Sequence, residues 1–245
     1  MAPALLAAAP PSEVNAETVG VKARPQHVPL NVVLETLGVT LAFFGGRILL
    51  NLLGPASKSP VTTQGLVASS LPNLGWILLV VCLLNRSGSF QWRLPASKKA
   101  WLIELKWSAV LLVTNEVAKV IAKRIGLDLH IPSNPSSLTG ALRNHSTWVA
   151  FQLITPLSAM YQELVCRVYM QSRLTQIIRG HSILVVLISS WLFVGIHNYA
   201  PLQSIGVFVA GLIYGASYQL NGKIPRLIIA HAANNMISGF ALMRG

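Results

Sequence analysis

An all-α, polytopic bundle of about seven transmembrane spans is the fold class this sequence predicts, on three observations. Of its 245 residues 53% are hydrophobic and 11% charged, with a mean hydropathy of +0.56. A soluble domain carries about 25% charged residues. The apolar excess recurs along the chain as runs near the roughly 20 residues that cross a hydrocarbon core of ~30 Å at ~1.5 Å per residue. Within the later runs stand three short polar clusters: Gln162-Glu163 with Arg167, Phe193 with His197, and His231 with Asn235. Ionisable groups at membrane depth are costly, so such clusters point to a site facing the bundle interior.

The elements follow in chain order. Residues 1–27 mix Ala, Pro, Glu and Val without periodicity, and the run Ala4 to Ala9 is short and lacks the positive flank of a signal peptide. They are expected to form a flexible cytoplasmic tail, with residues 28–245 as one membrane-embedded helical domain. The apolar spans are 30–53, 66–85, 102–122, 146–175, 182–199, 203–220 and 226–243. The first is broken near Gly45-Gly46 and carries Arg47; Glu35, Glu104 and Glu116 also interrupt the first and third spans and are expected to pair with Lys or Arg near the span ends. Trp92, Pro95 and Trp101, with Lys98 and Lys99 between them, predict a short interfacial segment with aromatic anchors.

Charge sets the orientation. Arg86, Arg93, Lys98 and Lys99 share one connection, Arg173 and Arg179 another, and Lys223 and Arg226 a third, all on one side of an alternating topology together with Lys22 and Arg24. The positive-inside rule then puts the amino terminus in the cytoplasm of a multi-pass protein of the cell membrane, although Lys123, Arg124 and Arg143 fall on the outer side. The net charge of +12 and pI near 10.3 come from scattered residues, not from a basic stripe with interleaved aromatics. Lipid headgroups, and no nucleic acid, are the expected partners. Cys82 and Cys166 lie in apolar spans without metal-ligand spacing and are expected as free thiols.

Glu163 and His197 lie at equal sequence offsets from Gly180 in the polar turn Arg179-Gly180-His181. In an antiparallel helical hairpin equal offsets mean equal depth, about 25 Å from that turn, so the two are expected to meet across the helix pair. His231, nearer its own turn at Asn221-Gly222, matches that depth less well and needs a tilted or dipping sixth span. His231 and Asn235 share one helix face at i, i+4, and Glu163 and Arg167 have the same spacing and can pair directly.

These residues and spacings resemble the membrane-embedded CAAX protease and bacteriocin-processing family, the Abi or CPBP glutamic endopeptidases. Its pattern is E-E-x-x-x-R, then F-x-x-x-H, then H-x-x-x-N on successive core helices. Here Phe193 to His197 matches the second motif and His231 to Asn235 the third, while the first reads Gln162-Glu163-Leu164-Val165-Cys166-Arg167, with Gln for the first Glu. Val168 stands where a Gly commonly follows the motif Arg. The resemblance covers about 146–243 as a catalytic core and implies hydrolysis of a peptide bond in a membrane-associated peptide or protein. A Glu and the F-x-x-x-H histidine would activate a water while the H-x-x-x-N pair steadies the oxyanion. Since an amide cannot take a proton from water, Glu163 is the expected base, with His197, His231 and Asn235 as its catalytic partners and Gln162 and Arg167 in support. No cofactor is expected.

Other readings use the same residues. A catalytically impaired relative would bind a membrane peptide without cutting it, as an immunity or scaffold protein. Glu163, His197 and His231 supply three ligands for a Zn²⁺ with an open fourth position, without an H-E-x-x-H helix. Transport would use Glu and His as a proton relay, but no inverted repeat is evident. Taken singly, Glu163 with Arg167 is an ion pair that neutralises two costly charges, Gln162 an interhelical hydrogen bond, Phe193 packing, and Cys166 a small inert filler.

Overall fold

The structure, a computed structural model, describes residues 28–45, 62–88, 94–124, 140–197 and 201–244. The tail at 1–27, Gly46 and Arg47 of the first span, the Gln91-Trp92-Arg93 anchor and Tyr199 lie outside the described residues. Among the described residues every regular element is helical. In order these are α1 (Leu30–Thr40), continued by a π turn (Leu41–Gly45), α2 (Thr63–Arg86), α3 (Lys98–Arg124), a single turn (Gly140–Leu142) and α4 (His145–Glu163). A second π turn (Leu164–Tyr169) joins α4 to α5 (Met170–Ile177), followed by α6 (Ser182–Gly195), α7 (Pro201–Asn221) and α8 (Ile224–Arg244).

Local chemistry explains the boundaries. Asn144 caps α4 by accepting from the backbone N–H of Ser146 at 3.0 Å and of Thr147 at 3.3 Å, and Thr62 caps α2 by accepting from Gly65 at 3.0 Å. The turns at 179–181 and 221–222 pivot on Gly180 and Gly222, whose φ values of 74° and 62° only glycine adopts without strain. The seven expected spans thus correspond in position to helical stretches. By length and composition, one helix among the described residues, Thr63–Arg86, suffices to cross a membrane; Leu30–Gly45 and Ser182–Gly195 are shorter apolar helices.

Packing sets the layers. α4 lies between α2 and α8, α8 also packs on α3, and α6 pairs with α7, which touches α3 in turn. Close approach of α6 and α7 depends on Gly211 and Gly215 at i, i+4, since a Cβ on Gly211 would lie 3.0 Å from Ser190 Cβ and one on Gly215 would lie 3.3 Å from Val186 Cγ1. Charges inside the helices are paired as expected. Glu104 takes a two-pronged hydrogen bond from Arg226 at 2.8 and 3.0 Å, Glu35 accepts from Arg173 at 2.7 Å and from the Tyr169 hydroxyl at 3.0 Å, and Lys119 meets Glu116 at 2.6 Å. The two cysteines are free, Cys82 exposed and Cys166 buried.

The α4–α8 contact, which holds the site together, is tight enough at Gly239 that an added Cβ would collide with the Phe151 ring. Gly239→Ala is therefore expected to destabilise the protein by about 1–3 kcal/mol through overpacking. A thermal unfolding scan in detergent reads this, and Phe151→Leu in the same chain should restore much of the loss.

Candidate active site

The site is built where α4 ends. Glu163 is the last residue of α4, and the π turn that follows carries Arg167. π turns interrupt α-helices at functional sites more often than elsewhere. Both side chains are fully buried, and Arg167 Nε stands 3.4 Å from Glu163 Oε2, so the i, i+4 pair expected from spacing forms. The guanidinium makes no hydrogen bond to the described residues. Its charge is instead met by the carboxylate on one side and the face of Phe193, 4.5 Å from Cζ to ring centroid, on the other.

The other Glu163 oxygen has a shorter partner. Oε1 lies 2.7 Å from His231 Nδ1, a charge-assisted hydrogen bond between two buried side chains. The short bond of Glu163 goes to His231 on α8, while His197, close enough to act on the same carboxylate electrostatically, has its Nδ1 2.8 Å from the Phe193 carbonyl oxygen. The π turn between Glu163 and Gly180, with i→i+5 hydrogen bonds, has more residues per turn and less rise than an α-helix, so side-chain rotation along this hairpin does not follow the α-helical count.

Phe193 is the hub of the site as well as core packing. Buried at the end of α6, its ring lies 4.8 Å from the His197 ring and 5.6 Å from the His231 ring, in addition to the Arg167 contact. The three motifs therefore converge through one aromatic side chain.

Two cavities meet at this hub. The larger, about 580 Å³, runs between α2, α4 and α8 and is lined by Ser70, Asn73, Ser158 and Gln162 together with His197 and Asn235. The smaller, about 60 Å³, is lined by Lys119, Tyr214 and His231, and again by His197 and Asn235, which thus form the partition between the two. Gln162 donates from Nε2 to Ser158 Oγ at 3.2 Å, while its carbonyl oxygen has no partner among the described residues. Glu163 lines neither cavity; it stands behind His231. Successive helical residues point ~100° apart, so Gln162 faces the larger space and Glu163 the interior.

The α8 partition is braced from α3. Asn234 Oδ1 accepts from Asn115 Nδ2 and from Lys119 Nζ, each at 3.0 Å, and Lys119 also pairs with Glu116. Asn115, Lys119 and Tyr214 were not legible as site residues in the sequence. Lys119 reads there as a span-end charge and Tyr214 as part of an apolar run, and only the neighbouring Asn234, inside the H-x-x-x-N motif, gave any signal.

Residues 144–237 match the family model of the type II CAAX prenyl endopeptidases, Rce1-like. Over this segment, less than half of its length, the chain is similar to the CAAX protease family. The matched residues include Gln162 to Arg167, Phe193 to His197 and His231 to Asn235. No curated protein and no solved structure matches the chain. The family is one of membrane-embedded proteases, which agrees with a helical fold holding buried acid, base and amide side chains beside a cavity. Among the described residues no three His, Cys, Asp or Glu side chains converge as metal ligands.

Proposed function

We propose that this chain is an intramembrane endopeptidase in which Glu163 and His231 act together as the base. The observation that carries the reading is the 2.7 Å bond between Glu163 Oε1 and His231 Nδ1 at the wall of the smaller cavity. When Nδ1–H donates to the carboxylate, the imidazole is held in one tautomer and orientation and Nε2 keeps its lone pair for a water. His231 takes a proton from that water as its oxygen bonds to the scissile carbonyl carbon, and the carbonyl π pair moves onto oxygen. Collapse of the tetrahedral species breaks the C–N bond, and His231 returns the proton to the leaving nitrogen. Asn235 and His197, facing both cavities, hold the substrate and the developing oxyanion at the partition, and Arg167 keeps Glu163 ionised and in place. Gln162 offers its unpartnered carbonyl oxygen to a peptide N–H in the larger cavity.

The same proposal places the chain in a membrane as a multi-pass protein with a cytoplasmic amino terminus, its substrate a membrane-associated peptide or protein. Supporting this, α2 and α3 each expose apolar side chains, among them Leu71, Leu74, Leu78, Val110, Val113 and Val117, as lipid-facing helices do. The mechanism needs no metal.

The test is cleavage of a fluorogenic peptide library by the purified full chain in detergent, with and without a stringent chelator. Cleavage should survive chelation and disappear in His231→Ala, with solution behaviour in size exclusion unchanged. Loss on chelation, restored by Zn²⁺, would sink the metal-free mechanism; full activity in His231→Ala would remove the base.

The second reading is a protein that binds a peptide without cutting it. What favours it is that the residue facing the larger cavity at the first motif position is an amide, Gln162, and not a carboxylate.

A further inference from the structure

The smaller cavity holds a buried donor that neither the packing nor the mechanism above uses. Tyr214 is 1% exposed, and its hydroxyl has no hydrogen-bond partner among the described residues. Leaving such a group unsatisfied is costly, and phenylalanine would remove that cost at nearly the same shape. The side chain nevertheless lines the chamber beside His231, its ring 5.8 Å from the imidazole and tilted by 31°. Lys119 completes the wall, an ammonium held by Glu116 and Asn234 with its side chain 16% exposed. A chamber bounded by a free phenolic O–H, an ammonium and the Asn235 amide is a site for negative charge that is present only during reaction.

We propose that Tyr214 is a further catalytic residue, whose hydroxyl donates a hydrogen bond to the oxyanion formed when water adds to the scissile carbonyl. The inference rests on the endopeptidase reading. No proton is transferred: the water proton goes to His231 and thence to the leaving nitrogen, while Tyr214 keeps its own and stabilises the charge on oxygen until the C–N bond breaks. A donor that waits unpaired in the resting state is preorganised, because it has no bond to give up when the charge develops, and preorganised donors in a poorly hydrated site carry much of the rate acceleration in acyl transfer. Lys119, its charge matched by Glu116, braces the wall of the chamber through its bond to Asn234.

The experiment compares the native full chain with Tyr214→Phe, reading steady-state cleavage of the best library peptide and equilibrium binding of two probes. One probe is that peptide with its scissile bond blocked by N-methylation. The other is the matching peptide phosphonate, a stable tetrahedral anion. The expected result is a loss of kcat of about 10²–10³-fold with KM within about threefold of native, as for removal of one oxyanion donor. Phosphonate affinity should fall with kcat while affinity for the N-methylated peptide holds, and the unfolding temperature should stay level or rise. A merely structural tyrosine would lower the unfolding temperature and weaken both probes together, which overturns the proposal. So does native kcat in Tyr214→Phe, and in that case cleavage by the native chain leaves the endopeptidase reading standing. A native chain that cuts nothing yet binds the phosphonate more tightly than the blocked peptide, through Tyr214, supports the anion site while the endopeptidase reading fails. Silence with no Tyr214-dependent preference overturns both.

Discussion

Glu163→Gln abolishes cleavage, with an expected fall in kcat of about 10³–10⁴-fold, the scale reached when a carboxylate that orients a catalytic imidazole becomes an amide. The reason is tautomeric. A carboxylate only accepts, so it holds the proton on His231 Nδ1, 2.7 Å away, and leaves Nε2 basic. The amide can turn its NH₂ toward Nδ1, which then accepts, and the proton moves to Nε2, where it blocks the base. Glu163→Ala should give the same loss of activity for a second reason as well. It strands Arg167, fully buried and 3.4 Å from the carboxylate, without its counter-charge, and breaking a buried pair by removing one partner costs about 3–5 kcal/mol. The two variants therefore separate in a thermal scan: Glu163→Gln keeps volume and most of the stability, and Glu163→Ala does not. Wild-type kcat in Glu163→Gln would show that the buried carboxylate only balances charge.

The second large effect is at the neighbouring position and has a sign that decides between readings. If His231 is the base, Gln162→Glu lowers cleavage by about tenfold or more. A new carboxylate beside the buried Glu163 either competes for Arg167 or takes up a proton, and each pKa unit of such interaction is worth ~1.4 kcal/mol. Gln162→Leu should instead raise KM with kcat nearly intact, because it removes an acceptor for the bound peptide and leaves the base alone. The opposite result, a silent native chain and activity gained only in Gln162→Glu, would move the base into the larger cavity. The native protein would then be a peptide-binding relative without its catalyst. Parallel cleavage assays on the same peptide, with pH profiles of kcat, distinguish the two.

The predicted helical class and the positions of the helices agree with the structure because both rest on short-range chemistry. Runs of apolar residues, the glycines at 180 and 222, and the Asn144 cap act within a few residues of themselves. The pairings of Glu35 with Arg173 and of Glu104 with Arg226 were foreseen as a type of contact, since a charge in an apolar span needs a partner, although the sequence does not say which one. Likewise the i, i+4 spacing of Glu163 and Arg167 announces their contact, because the chain stays helical from the end of α4 into the π turn that carries Arg167.

What the sequence by itself determined is thus an all-helical chain and the three motifs that carry the family resemblance. What only the tertiary structure decided is how those motifs face one another. Glu163 takes its short bond from His231, Gln162 and not Glu163 opens on the larger cavity, and Tyr214 and Lys119 join the chamber behind the histidines. The physical reason is rotation. Hydropathy and spacing locate a residue along a helix axis, but the direction a side chain takes around that axis depends on the π turn at Leu164–Tyr169 and on crossings set by contacts such as Gly239 on Phe151. A shift of one residue turns a helical side chain through ~100°, so the packing between helices, and not the order of residues along any one of them, selects which groups meet.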